Sequence, residues 1–334
     1  MTAAWLAAAL CVGVMGFAIQ RGATCTVAAV DEVLTKRRVH RLVAMLEASL
    51  WVAGGLALAQ LAHLAGSMPA SYEAGAQAVI GGALLGLGAW VNRACVFGAV
   101  ARLGSGEWAY AATPLGFYVG CLSVMSLVTP LIARPLASAQ ADASSFAQGP
   151  TTFALFFAAY VVWRIFPGLI ALRGPDRVER LRQMIWAPHA ATVVIGVSFV
   201  ITLLLAGRWA YTDVLADLAQ ATGSKLAAAA VPLLPGLPVL PVLLLLALYA
   251  GALIGGLSAG HRQSARVSAP QVLRCFAGGV VMGWGSLLIP GSNDGLILIG
   301  IPLLRPYAWL AFASMFGAIA AAMQIGQSRW LNRP

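Results

Sequence analysis

Charge is scarce in this chain. Only 10% of its residues are Asp, Glu, Lys or Arg, whereas soluble domains carry ~25%, and 60% are hydrophobic with a mean hydropathy of +0.84. That balance excludes a water-soluble globular fold. Polar low-complexity tracts are also missing: the 36 glycines sit inside apolar runs, so the composition does not describe disorder. Histidine is rare, with four in the chain and no Cys/His spacing pattern, which leaves a metal site without support. Five cysteines, an odd number all within or beside apolar segments, do not form a secreted disulfide framework. Walker loop, Rossmann fingerprint and GxSxG elbow are absent, and no cofactor is expected. No basic stretch precedes Trp5, so the first apolar run reads as a retained span rather than a cleavable signal peptide.

What is present is a series of long apolar runs. A helix needs roughly 20 residues to cross the hydrocarbon, and nine segments qualify, at about 4 to 20, 41 to 63, 77 to 103, 107 to 133, 150 to 172, 189 to 206, 238 to 260, 271 to 304 and 306 to 325. The third and eighth are too long and glycine-rich for plain rods and read as half-helix, break and half-helix. Basic residues test the count independently. One side collects Lys36, Arg37, Arg38, Arg41, Arg102, Arg173, Arg177, Arg180, Arg182, Arg262, Arg266, Arg274, Arg329 and Arg333, and the other holds only Arg134, Arg208, Lys225 and Arg305. The expected fold is an all-α polytopic membrane protein, N-terminus outside and C-terminus cytoplasmic. Retention of positive charge in cytoplasmic loops also accounts for the net charge of +10 without nucleic acid.

An internal repeat organises these spans. Gly81-Gly82-x-x-x-Gly86-x-Gly88 returns as Gly278-Gly279-x-x-x-Gly283-x-Gly285, and at the same offset of 197 Cys95 faces Ser292 and Gly98 faces Gly295. The division expected is a first repeat at 1–149, a connecting helix and Arg-rich loop at 150–188, and a second repeat at 189–334. Because five crossings precede the second copy, the copies should be oppositely oriented, with broken helices and a site near the midplane. Arg164 in the connecting span reads as snorkelling or pairing structurally. Glu47 in the second span should face a cavity or a partner. Gly54-Gly55 and Gly251-x-x-x-Gly255-Gly256 read as close helix packing.

The chemistry concentrates at the breaks. Gln20-Arg21-Gly22-Ala23-Thr24-Cys25-Thr26 and Asn92-Arg93-Ala94-Cys95-Val96-Phe97-Gly98 each set a thiol beside exposed backbone donors and a cation. A half-helix N-terminus with unpaired N–H groups favours an anion, and Arg21 and Arg93 would add attraction. The second-half break, Pro290-Gly291-Ser292-Asn293-Asp294-Gly295, supplies hydroxyl, amide and carboxylate, with Pro290 interrupting the helix. Arg93 and Asp294 are expected to pair, because either charge alone in hydrocarbon is expensive. Cys11, Cys121 and Cys275 read as small hydrophobes.

Three stretches then resemble a known family. GFAIQRGATCTVAAVDEV at 16 to 33, GGALLGLGAWVNRACVFGAVARLGSGEW at 81 to 108 and FAGGVVMGWGSLLIPGSNDG at 276 to 295 are similar to the three cysteine-bearing motifs of the YeeE/YedE sulfur-transport family, with the same order and glycine pattern over nearly the whole chain. The resemblance implies inverted halves with short membrane-embedded helices meeting at an hourglass constriction in a bacterial inner membrane, and import of thiosulfate or a related anion handed along thiol hydrogen-bond donors. It implies Cys25 and Cys95 as the first two relay groups, and a small cytoplasmic sulfur-carrier protein of the TusA type as a partner. The third family cysteine maps to Ser292, and the Gly-Gly usually preceding the second is Arg93-Ala94. The pathway set is thus Cys25, Cys95 and Ser292, supported by Arg21, Gly22, Thr24, Asn92, Arg93, Gly98, Gly291, Asn293, Asp294 and Gly295. Two other readings compete with a sulfur-anion transporter: a membrane thiol enzyme that shuttles sulfane sulfur between Cys25 and Cys95, and transport of a different small solute on the same fold.

Overall fold

In hydrocarbon every backbone N–H and C=O must be satisfied within the chain, and a chain this apolar meets that demand with helices. The computed structural model describes residues 2–22, 24–64, 69–125, 149–171, 188–227, 239–260, 267–289 and 291–331. The first half contains α1 (Thr2–Gly22), α2 (Thr26–Lys36), α3 (His40–Leu61), α4 (Ala76–Asn92), α5 (Val96–Gly104), a 3-10 turn (Trp108–Ala111) and α6 (Ala112–Met125). After α7 (Pro150–Ala171) the same order returns: α8 (Pro188–Ala206), α9 (Tyr211–Ala227), α10 (Val239–Ser258), α11 (Ala269–Leu288), α12 (Asn293–Gly295) with a π-turn (Leu296–Gly300), and α13 (Pro306–Leu331). No strand occurs among the described residues. The protein is an all-α, multi-pass membrane protein.

Six helical stretches are long and apolar enough to cross a membrane, and α8 with α9, bent by 42° at a short break, makes a seventh. The remaining two of the nine expected segments correspond to α6, described for 14 residues, and α7, whose apolar stretch covers Thr151–Arg164. Residues 126–133, the loop bearing Arg173 to Arg182, Arg134, Arg262, Arg266, Arg333 and Pro290 lie outside the described residues.

Both expected helix breaks are present, between α4 and α5 and between α11 and α12. Glycine determines how their flanks meet. A Cβ on Gly88 would lie 2.8 Å from the Gly278 carbonyl, and one on Gly278 2.8 Å from the Gly88 carbonyl. Gly81 and Gly285 face each other in the same reciprocal way. The first glycine of each motif thus meets the last glycine of the other, so α4 and α11 run past one another in opposite directions at backbone contact. The flanking contacts are exchanged likewise. Gly82 and Gly86 seat α13 on α4, while Gly279 and Gly283 seat α6 on α11. Helix α1 packs on α10 as α8 packs on α3. Gly54 is filled against by the Phe157 ring, Gly251 by the Gly13 backbone and Gly256 by the Gly104 carbonyl, in agreement with their reading as packing positions. Cys121 and Cys275 are buried within this packing.

Candidate functional site

Cys25, Cys95 and Ser292 occupy one structural position three times over. Each is the N-cap, in extended backbone, of the short helix that follows a break: Cys25 of α2, Cys95 of α5 and Ser292 of α12. An N-cap residue stands beside the first unpaired amides of its helix. None of the three uses its own side chain to cap them, which leaves thiol and hydroxyl available to something else.

Thr26 ties the three helices together. Its amide donates to Cys95 Sγ at 3.2 Å, and its hydroxyl donates to Asn293 Oδ1 at 3.3 Å, so the first residue of α2 touches both α5 and α12. The Cys25 and Cys95 side chains are in contact. Gly98 makes room for this, since a Cβ there would lie 2.5 Å from Cys25 Sγ. Asn92 is occupied within the break itself. Its Nδ2 donates across the break to the Ala94 carbonyl at 2.8 Å, and its Oδ1 accepts from Thr113 on α6 at 3.1 Å, so it braces the bend between α4 and α5.

On the second-half side Ser292, Asn293 and Asp294 are all buried. Gly291 turns the chain into α12 at φ +72°, a conformation that suits glycine. Asp294 is held by three donors: the Thr212 hydroxyl, 2.5 Å from Oδ1, the Gly295 amide, 3.1 Å from Oδ1, and the Thr212 amide, 3.4 Å from Oδ2. Thr212 lies in the first turn of α9, so Asp294 caps that helix from outside and joins α12 to it. Tyr211, one residue earlier, donates its hydroxyl to the Val96 carbonyl of α5 at 3.0 Å. Four helix starts, two from each half, therefore meet through side-chain and backbone hydrogen bonds. The π-turn after α12 is pinned in place by Ser49, whose hydroxyl donates to the Ile297 carbonyl at 2.6 Å.

Three polar atoms here are buried without a hydrogen-bond partner: Thr24 Oγ1, Ser292 Oγ and Asn293 Nδ2. Orphaned donors are costly in a low-dielectric interior. Their accumulation around one junction marks a place where a ligand with acceptor atoms would complete the network.

Two expectations fail. Arg93 does not pair with Asp294: the arginine is exposed at the C-cap of α4, in left-handed backbone at φ +60°, and among the described residues the ion pairs are Arg102–Glu107 and Arg164–Glu47. The carboxylate obtains three hydrogen bonds instead of a countercharge. Arg21 does not turn toward the thiols either. Its Nη2 donates to Ser258 Oγ on α10 at 2.8 Å and its guanidinium lies 5.7 Å from the Phe17 ring centre. Of the other pathway residues, Gly22 ends α1, Thr24 supplies one of the orphaned hydroxyls, and Gly98 and Gly295 lie buried one turn or less past their caps. Thr26, within the first motif but not singled out there, and Tyr211 and Thr212, outside all three motifs, are the residues that the sequence reading missed. The signal for the last two is the element order, in which α9 follows α8 as α2 follows α1.

Spans crossed by breaks, with neutral donors from both halves gathered at the breaks, define a membrane transport protein in architecture. The sequence pattern of the sulphur transport family matches residues 21–321, nearly the whole chain, and the protein belongs to that family. Comparison with the curated proteins returned no match.

Proposed function

We propose that this protein carries a small sulfur-containing anion, thiosulfate or a close relative, across a bacterial inner membrane, passing it along Cys25, Cys95 and Ser292. The observation that carries the proposal is the junction itself: two thiols and one hydroxyl at the caps of three short helices, where that hydroxyl, Ser292 Oγ, and two neighbouring donors, Thr24 Oγ1 and Asn293 Nδ2, are buried without a partner. Soft thiols suit a sulfur atom, and hydroxyl and amide donors suit sulfonyl oxygens. The starts of α2 and α5 favour an anion, and the Asp294 carboxylate of α12 is offset by the Thr212 hydroxyl and amide and by the Gly295 amide. Serial donors of modest strength permit both entry and exit.

The reciprocal contacts between α4 and α11 support two copies, 1–149 and 189–334, inserted in opposite senses and joined by 150–188, and the bias of basic residues to one side supports an N-terminus outside and a C-terminus in the cytoplasm. A sulfur carrier of the TusA type is the proposed cytoplasmic acceptor. Uptake of labelled thiosulfate into cells lacking other importers tests the pathway. Cys95→Ala should lower uptake by about tenfold or more, equivalent to losing one charge-assisted hydrogen bond or ~1.4 kcal/mol. Unchanged uptake at equal membrane abundance overturns Cys95 as a relay group.

A further inference from the structure

Away from the junction, α7 touches the bundle along one face of α3 and leaves a cleft beside it. Glu47, Trp51 and Gly54 on α3 meet Arg164 with Tyr160, Phe157 with Tyr160, and Phe157, in that order, so the two helices run antiparallel. The cleft has a volume of about 900 Å³ and an almost wholly apolar lining that includes Leu50, Phe153, Phe156, Phe157, Trp163 and Leu304. It shares Leu50, Tyr160 and Trp163 with a second cavity of about 550 Å³ that Glu47 and Arg164 also bound. We propose that this cleft binds one phospholipid with an anionic headgroup, its acyl chain lying along α7 and its phosphate on Arg164.

Three observations select that occupant. The outer face of α7 exposes Leu155, Phe156, Val162 and Trp163, so in a membrane the cleft opens onto lipid. An apolar cleft left empty there forfeits dispersion contacts along its whole lining. Its length fits as well. From Arg164 to Gly149 the helix rises ~22 Å at ~1.5 Å per residue, which covers the ~15 Å depth of one leaflet's hydrocarbon.

The polar end supplies the charge. Glu47 Oε1 accepts from Arg164 Nε at 3.0 Å and from the Tyr160 hydroxyl at 2.7 Å. This fixes the guanidinium by one edge, and the fork holds four more N–H donors. The Arg164 side chain is 36% exposed, and a phosphate diester accepts from such a fork in bidentate fashion. Lys36, Arg37 and Arg38 are exposed at the same end of α3, nine to eleven residues before Glu47, and add attraction for an anionic headgroup. Membrane proteins use basic pockets between helices in this way, and here the pocket is neutral overall until the lipid arrives.

Native mass spectrometry of the full chain, extracted from membranes and then delipidated and titrated with phosphatidylglycerol or phosphatidylcholine, tests the proposal. The expected result is one retained phospholipid and a preference for phosphatidylglycerol. Arg164→Gln should reduce that preference about tenfold. Ala159→Trp, which narrows the cleft and leaves the ion pair intact, should abolish retention of either lipid and guards against a misfolded Arg164 variant. Retention unaffected by both substitutions overturns the proposal. So does binding of inorganic phosphate alone at Arg164, a dimer that forms only through this cleft, or a crosslink showing that residues 126–148 fill it. None of these outcomes depends on whether the chain moves sulfur anions.

Discussion

Thr212→Val is the sharpest test of how the two halves are joined at the junction. Valine matches threonine in shape and branching, so the change removes one donor and little else. In the structure that donor is the hydroxyl 2.5 Å from Asp294 Oδ1, in a buried place where no cation faces the carboxylate among the described residues. A hydrogen bond to a charged group contributes about 1.5–3 kcal/mol, and an acceptor left short in the interior bears the desolvation penalty in addition. The expected loss is about 2–3 kcal/mol. With an unfolding entropy of ~2.1 cal/mol/K per residue, 334 residues give a fall in Tm of roughly 3–4 °C. Thermal scans of detergent-solubilised protein by fluorescence-detected size exclusion would read it. Arg93→Gln, at an exposed helix end, should stay within about 0.5 kcal/mol. The decisive measurement is the double mutant. In an Asp294→Asn background the charge-assisted bond no longer exists, so Thr212→Val should cost at least 1 kcal/mol less, roughly, than in the parent. Strict additivity would refute the bond as a structural link. Coupling between Arg93 and Asp294 of similar size would restore the ion pair that the geometry denies.

Two further outcomes follow from the same atoms. Ser292→Ala deletes a buried hydroxyl that has no partner, so stability should be unchanged or slightly raised while the apparent KM for the transported anion increases; a loss of stability would mean that the hydroxyl is already bonded. Gly98→Ala places a Cβ 2.5 Å from Cys25 Sγ and should cost about 1–3 kcal/mol by overpacking, with uptake falling further than Tm suggests because the thiol is displaced from Cys95; normal uptake would separate that contact from transport.

Much of the fold is legible in the sequence because its signals are of the coarse kind that bilayer physics enforces. Apolar length places the helices. The constant offset between Gly81-Gly82-x-x-x-Gly86-x-Gly88 and Gly278-Gly279-x-x-x-Gly283-x-Gly285 identifies α4 and α11 as equivalents, and the structure shows why those positions must be glycine: each motif presses on the backbone of the other or of the next helix. The breaks were readable from glycine, proline and polar residues within otherwise apolar runs. Partner choice was not readable. Arg93 and Asp294 are complementary in charge and lie at equivalent breaks, yet the left-handed C-cap at Arg93 aims that residue outward while α9 brings Thr212 to Asp294. Two charges in a sequence do not say whether a third element lies between them. Arg164 and Glu47 show the converse, since a pairing that the sequence left open is supplied by the antiparallel run of α7 on α3.

The displacement of Arg21 and Arg93 from the junction changes the physical account of the proposed path. A guanidinium at a dry constriction would hold a sulfur oxyanion through charge-assisted forks and make release slow. With both arginines engaged elsewhere or exposed, attraction falls to thiols, hydroxyls, one amide and the amides at the helix starts. Each is neutral and individually weak, and each comes from a backbone segment fixed by a neighbour: α2 and α12 by Thr26, α5 by Tyr211 and Asn92, and α9 by Asp294. Asp294 is bound to the start of α9 through Thr212, and the Thr26 amide of α2 and the Gly295 amide of α12 are taken by Cys95 Sγ and Asp294 Oδ1, so the open donors of the proposed path are the side chains of Thr24, Ser292 and Asn293. A throat of that kind holds an anion by many modest contacts rather than one strong one, which is the condition under which entry and departure can both be fast.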